Sequence, residues 1–286
     1  MITILDGPLG TELIARGITL DSASWSAEAV GKASNLIGEI HRDYLQAGAQ
    51  VLTTNTFRTT QEHCGSNWRS LTEKAIAITS QQIEASSECR SHHRIAGSLG
   101  PIADCYRPDQ SPENHAAEAH AEMANWLAKC HCDLIFCETF ANAVEAETAV
   151  REAQKTTLET WIGLTAGPDG SLMKPGEMAE AAKRCVNVGA SAVIVQCTAA
   201  EASLAYVRQL ESQRLDVAIG VAANAGASDQ AIGWVPRHKT KQLEIAADRY
   251  VSLAESWVES GATIIGACCG CSPVHIANLS ARFRPN

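Results

Sequence analysis

Along the chain, short continuous apolar runs alternate with longer stretches in which apolar residues recur every three or four positions. The first pattern suits a strand buried on both faces, the second a helix with one buried stripe. Together they predict strands at residues 2–5, 51–54, 94–98, 134–138, 160–165, 192–196, 217–222 and 263–266. The helices fall between them, at residues 36–48, 68–89, 113–129, 143–155, 178–188, 202–211, 242–260 and 273–283. In the first of these Leu36, Ile40, Tyr44 and Leu45 share one face, and Gly48 ends it. Gly48, Gly189 and Gly261 each stand where a helix stops and a strand begins, as glycine caps do. Eight strand–helix pairs in 286 residues predict the α/β class and a single (β/α)8 TIM barrel, one domain over residues 1–286. The competing architecture is an open doubly wound sheet, against which stands the lack of Gly-x-Gly-x-x-Gly after the first strand.

Composition narrows the function classes. The chain is 45% hydrophobic and 19% charged, an ordinary globular balance. A net charge of -9, a pI near 5.5 and no run of Lys or Arg argue against nucleic acid. No apolar stretch approaches the roughly 20 residues of a membrane helix, so no membrane partner is expected. Met1-Ile2-Thr3-Ile4-Leu5-Asp6 does not read as a signal peptide. Eleven cysteines, an odd number, do not suit a disulfide scaffold. The expected setting is cytoplasmic, with reduced thiols.

In such a barrel the chemistry sits at the carboxyl ends of the strands. Those ends read Asp6-Gly7, Thr54-Asn55-Thr56-Phe57, Ser98, Glu138-Thr139-Phe140, Thr165, Gln196-Cys197-Thr198, Asn224-Ala225-Gly226, and Gly266 to Cys271. Cys268 and Cys269 sit where the last strand turns, and thiolates there suggest a soft metal, zinc above all. A vicinal disulfide and buried packing cysteines are the alternatives for that stretch. Two ligands do not hold a catalytic zinc; Cys197, at the same place on its own strand, is the third. Three thiolates and one open position describe a catalytic site, whereas a structural one would add a fourth ligand, for which Cys271 is a candidate. Such a site suits activation of a substrate thiol, because a coordinated thiol is deprotonated outright. No His-Glu-x-x-His occurs, and hydrolytic zinc prefers neutral imidazoles. Asp6 and Glu138 are strand-end carboxylates able to bind a substrate ammonium or move a proton. Asp6 also suits a turn before Gly7, while Glu138 closes the apolar run Leu134-Ile135-Phe136-Cys137, where a charge is costly without a partner.

Several motifs carry a family resemblance. Asp6-Gly-Pro-Leu-Gly-Thr-Glu-Leu, Thr54-Asn-Thr-Phe, Gly97-Ser-Leu-Gly-Pro, Glu138-Thr-Phe, Gln196-Cys-Thr, Asn224-Ala-Gly and Cys268-Cys-Gly-x-x-Pro-x-His-Ile resemble the homocysteine S-methyltransferase family, in order and over nearly the whole chain. The resemblance implies a (β/α)8 barrel with zinc held by Cys197, Cys268 and Cys269. It implies that the amino group of homocysteine lies near Asp6 and Glu138 and its carboxylate at the turn Thr54, Asn55, Thr56. Gly7, Ser98 and Asn224 are placed at the same mouth. Pro8, Ala267 and Gln196 depart from the family pattern without removing a ligand.

Trp25-Ser26-Ala27 resembles the branch that uses sulfonium donors, S-methylmethionine or S-adenosylmethionine, and an aromatic face such as Trp25 suits a sulfonium cation. The implied activity is methyl transfer from such a donor to homocysteine, giving methionine. Betaine or a methyl-corrinoid protein as donor, and selenocysteine as acceptor, are the rivals within the fold; Asn224-Ala225-Gly226 keeps the corrinoid branch open. With the chain ending at Asn286, appended cobalamin or folate modules are not expected. A zinc- or thiol-binding protein without turnover is the reading from another class. The implied partners are small molecules, and a homo-oligomer is compatible with the sequence. His92-His93 is expected to be exposed on the far side of the barrel. His63, Cys64 and Cys105 lie in loops on the active side, within reach of metal or substrate. Cys137 is expected to point away from the site, and Cys89, Cys130, Cys132 and Cys185 to pack on or beside helices.

Overall fold

The structure is a computed structural model, and it describes residues 1–20, 24–86, 92–112, 115–225, 227–229, 233–235 and 240–284. Eight strands run parallel around one sheet: β1 (Thr3–Ile4), β2 (Val51–Thr53), β3 (Arg94–Leu99), β4 (Leu134–Phe140), β5 (Glu159–Leu164), β6 (Ala192–Ala199), β7 (Ala218–Asn224) and, after a small hairpin of β8 (Ala227–Asp229) and β9 (Gly233–Val235), β10 (Ile264–Ala267). Each barrel strand from β2 to β7 pairs with the next, β7 pairs with β10, and β10 with β1 through Thr3↔Ile264 and Ile4↔Ile265. A parallel bridge between Leu5 and Val51 joins β1 to β2 and closes the ring. The expected α/β class and (β/α)8 TIM barrel are therefore what the chain forms.

Side-chain alternation separates two cores. Leu5, Val51, Ala96, Leu134, Phe136, Trp161, Ala192, Ile194, Ala222 and Ile264 fill the inside of the ring. Their neighbours Ile4, Leu52, Ile95, Ile135, Cys137, Val193, Val195 and Ile265 face outward into the layer shared with the helices. Burial on both faces explains why the strand sequences are apolar throughout.

The expected helices are all present, with ends shifted by a few residues. The second is Trp68–Glu84, shorter than residues 68–89, and Cys89 lies outside the described residues. The third is Ala116–Lys129, and residues 113 and 114 are outside the described set. Two short helices, Leu9–Ala15 and Ala27–Lys32, were not expected; at seven and six residues they are too short to display a helical period. Both lie between β1 and the first long helix, Ser34–Gln46, beside the mouth of the ring. Among the described residues no helix is long and apolar enough to cross a membrane.

His92 is exposed, but His93 is buried, with Nδ1 3.2 Å from the Ala49 carbonyl, so the expectation of an exposed pair holds for one member only. The residue just before β3 is already drawn under the lower rim of the barrel. Cys132, Cys137 and Cys185 are buried in the outer layer and Cys130 is half-buried, as packing residues.

Candidate active site

Two strands break their alternation at the carboxyl mouth. β4 shifts register between Cys137 and Phe140, and β6 between Gln196 and Ala199. At each break a non-glycine residue adopts a left-handed backbone: Thr139 at φ 61° and Cys197 at φ 47°. Such conformations cost about 1–3 kcal/mol and cluster at functional sites. The cost has a visible result. Val193 and Val195 face the helices, so strict alternation would send Cys197 outward with them. The bulge turns it to the mouth instead, as bulges beside active sites do.

Cys268 and Cys269 meet it from β10. Their turn is pinned on both sides: the Cys268 N–H donates to Ala223 O of β7 at 2.8 Å, the Ala225 N–H to Cys269 O at 3.1 Å, and the Ala267 N–H to Asp6 O at 3.2 Å. The Tyr250 hydroxyl ties the two strands together beneath, lying 2.9 Å from Gly266 O and accepting the Ala223 N–H at 3.0 Å. The sulfurs of Cys197, Cys268 and Cys269 all lie within 4.8 Å of one another. Ligands about 2.3 Å from one tetrahedral ion stand roughly 3.8 Å apart, so three sulfurs gathered within 4.8 Å need only small shifts to hold one metal. Among the described residues the group is three sulfurs without a His, Asp or Glu atom, a donor set for a soft ion. Burial pushes the Cys269 thiol up to about 12, with the nearby Cys105 and Glu138 adding to the rise; a cation is the partner that reverses this.

In the structure Cys197 and Cys268 are joined as a disulfide, Cα atoms 5.5 Å apart. The vicinal alternative, Cys268 with Cys269, is not the pair formed. Two strand ends that aim sulfurs at one point bring them within bonding reach. Cys271 stands apart from the cluster: it is buried, with its sulfur 3.8 Å from Ala223 O. Cys105 lines the same cavity without joining the three. The oxidised protein is expected to show two fewer thiols to a thiol-specific reagent than the fully reduced protein, under denaturing conditions. Metal uptake is expected to require that reduction.

Above the sulfurs opens a cavity of about 910 Å³, a size that suits small molecules. Glu138 is half-buried on its wall. Its Oε1 accepts from Gln196 Nε2 at 2.6 Å and its Oε2 from the Ser98 hydroxyl. Burial raises its carboxyl to about 7, against the pull of those two hydrogen bonds. Gln196 is itself fixed, because its Oε1 accepts the Thr139 N–H at 3.0 Å. Space for that carboxamide comes from Gly163 of β5, where an added Cβ would fall 1.9 Å from Gln196 Oε1. Gly163→Ala is expected to lower stability by about 1–3 kcal/mol in urea denaturation, through overpacking. It should also weaken whatever Glu138 binds.

Asp6 is buried, with Oδ2 accepting the Thr53 N–H at 2.8 Å and Oδ1 the Thr53 hydroxyl at 2.9 Å. Burial holds its carboxyl well above the usual range, with a smaller push from Glu138. Gly7 and Trp25 also line the cavity. A side chain at Gly7 would strike the Tyr44 ring at 2.7 Å, and Trp25 lies over Gly10, 2.5 Å from where a Cβ would be. Both glycines let aromatic rings close against the backbone.

Thr54 and Asn55 reach the cavity. Thr56, Ser98 and Asn224, expected at the mouth, are buried behind its wall. The Thr54 and Thr56 hydroxyls bond each other at 2.7 Å, and Thr56 also donates to Ser98 O at 2.7 Å. Asn55 is clasped by Ser26, donating to its carbonyl at 2.9 Å and accepting from its hydroxyl at 2.5 Å. Asn224 is 1% exposed and faces Tyr106. Phe57, Arg58, Tyr106 and Gln196 line the cavity without having been singled out as site residues. For Arg58 a signal existed: a charged residue immediately after the strand-end motif Thr54-Asn-Thr-Phe.

The family model for homocysteine S-methyltransferases matches residues 3–283. The chain is 27% identical to the homocysteine S-methyltransferase YbgG of Bacillus subtilis (strain 168), covering 99% of this chain and 95% of that protein. It is 28% identical to the homocysteine S-methyltransferase of Escherichia coli (strain K12), covering 98% and 95%. Among solved structures, the Escherichia coli homocysteine methyltransferase MmuM in its oxidised form superposes with a TM-score of 0.79 at 26% identity, covering 98% of this chain and 96% of that one. Its metallated form superposes with the same TM-score at 24% identity and the same coverage, which speaks for the fold. A family match over almost the full length, on a barrel whose mouth gathers the cysteines that suggested it, leaves one conclusion: the chain belongs to the homocysteine S-methyltransferase family.

Proposed function

We propose that the protein transfers a methyl group from a sulfonium donor, S-methylmethionine or S-adenosylmethionine, to the thiol of L-homocysteine, giving methionine, with zinc held by Cys197, Cys268 and Cys269. The observation that carries this is the group of three sulfurs within 4.8 Å at the floor of a cavity that also holds Glu138 and Asp6. When bound, zinc would lower the pKa of a substrate thiol in its fourth position, so that the thiol reacts as thiolate near neutral pH.

The chain's own residues bind and align. Glu138, held by Ser98 and Gln196, receives the substrate ammonium. Asp6, already bonded twice to Thr53, fixes β1 against β2 beneath the same side of the cavity. The hydroxyls of Thr54 and Thr56 are engaged with each other, so what the turn offers a substrate is its backbone and Asn55. Trp25 offers an aromatic face to the sulfonium. Gly7 lets the Tyr44 ring close under the same wall. The donor departs as a neutral thioether, so no strong acid is needed, and holding sulfur and methyl in line supplies most of the rate. On this reading the reaction belongs in the cytoplasm, where such thiols stay reduced.

The test is a donor panel with reduced, zinc-loaded protein and homocysteine, scored for methionine. The sulfonium donors are expected to give methionine. Methionine from betaine or a methylated corrinoid protein alone would replace the donor assignment. Zinc binding with no methyl transfer from any donor would make this a metal- or thiol-binding protein instead.

A further inference from the structure

The cavity wall holds two arginines that the methyl-transfer scheme does not use, Arg58 and Arg107. Arg58 is only 8% exposed and lines the cavity. One guanidinium nitrogen, Nη1, donates to Pro101 O at 3.0 Å and Ala103 O at 2.8 Å. The guanidinium lies 4.8 Å from the centre of the Phe57 ring. Those contacts fix the plane of the group and occupy one of its three nitrogens. Among the described residues no carboxylate pairs with Arg58, and its Nε and Nη2 have no protein acceptor. The other arginine on the wall, Arg107, is spent on Asp109 through two bonds of 2.9 and 2.8 Å. Asp104, next in the chain to the Ala103 carbonyl that holds Arg58, is turned to the backbone and accepts the Tyr106 N–H at 2.9 Å.

A buried guanidinium without a counter-ion is costly, and two neutral carbonyls offset only part of that cost. Its fixed plane with free N–H groups on one side matches the geometry of a carboxylate. Arg58 also shares its cavity with Cys105 and with the sulfur-bearing Cys197, Cys268 and Cys269. The geometry points to Arg58 as the anchor for the α-carboxylate of an amino-acid substrate in this cavity, a specificity residue that makes the enzyme demand a free acid. The inference rests on the methyl-transfer reading for the identity of those substrates, homocysteine and the sulfonium amino acid, each of which carries that group.

The experiment compares each substrate with its methyl ester, in the reduced, metal-loaded wild type and in Arg58→Met and Arg58→Lys. In the wild type the ester of the anchored substrate is expected to show a KM about 10- to 100-fold above the acid, the worth of a charge-assisted pair. In Arg58→Met the KM for the acid should rise by a similar factor, the acid and ester should then differ by less than about threefold, and kcat should change little. Arg58→Lys should fall between the two. A penalty on the homocysteine ester assigns Arg58 to the acceptor, and one on the donor ester to the donor. Wild-type enzyme that treats acids and esters alike overturns the proposal without need of a variant, as does an ester penalty that persists in folded Arg58→Met. A merely structural role for Arg58 would lower stability without erasing the difference between acid and ester. Calorimetric binding of homocysteine and its ester keeps the two claims apart. Acid-selective, Arg58-dependent binding without methyl transfer would count against the reaction and leave the anchor standing.

Discussion

Cys269→Ala is expected to lose metal and turnover together. Zinc content of the purified, reduced protein should fall from near one ion per chain to near zero. Methionine formation should drop by at least about 10³-fold, as when a member of a concerted catalytic group is removed. The reason lies in the chemistry of the three sulfurs. They come from two strands and stand within 4.8 Å, and no other described His, Cys, Asp or Glu offers a ligand atom to the same group. Cys197→Ala and Cys268→Ala should behave alike, since two thiolates do not hold a catalytic zinc. Cys185→Ala is the control. That thiol is fully buried in the outer layer between strands and helices, so its loss should cost some stability and leave the metal in place. A Cys269→Ala protein that kept both zinc and turnover would remove the cluster from the mechanism.

Glu138→Gln is expected to raise the KM for homocysteine about 100-fold, in the range lost when one partner of a buried charge pair is truncated. Carboxamide and carboxylate have nearly the same shape, so the bonds from Ser98 and Gln196 are the part that must readjust. The pH dependence follows from burial. With a carboxyl raised to about 7, Glu138 is ionised above that value and protonated below it. Only the ionised form attracts an ammonium. The kcat/KM for homocysteine, which reports the free enzyme, should therefore fall as pH drops through about 7, by up to tenfold per unit. Glu138→Gln should lack that acid limb. An acid limb of equal size in the variant would assign the titration to another group.

The barrel is visible in the sequence because parallel strands covered on both faces leave unbroken apolar runs, and because Gly48, Gly189 and Gly261 mark where helices turn into strands. All three adopt a positive φ. The cysteines are visible because strand ends are where a barrel keeps its polar groups. What the sequence does not display is how Cys197 comes to face them. Alternation along β6 would send it outward, and only the bulge at φ 47° brings it in. Nothing in Gln196-Cys197-Thr198 announces that break. The support under Glu138 is equally hidden, since it links Ser98 of β3, Gln196 of β6 and the space left by Gly163 of β5, three residues far apart in the chain. Thr56, Ser98 and Asn224 sit one step behind the wall because a strand-end motif fixes a neighbourhood and leaves the orientation of each side chain open. The short helices at Leu9–Ala15 and Ala27–Lys32 escape notice for want of length, yet Trp25 is presented just before the second of them.

The central claim is one metal ion among three protein sulfurs with a place for a fourth from the substrate. X-ray absorption at the zinc edge tests it most directly, on reduced, zinc-loaded protein before and after addition of homocysteine. The account predicts three sulfurs and one lighter atom in the free enzyme, the sulfurs at about 2.3 Å, and four sulfurs once homocysteine is present. A first shell unchanged by homocysteine, or one with fewer than three sulfurs from the start, would contradict it.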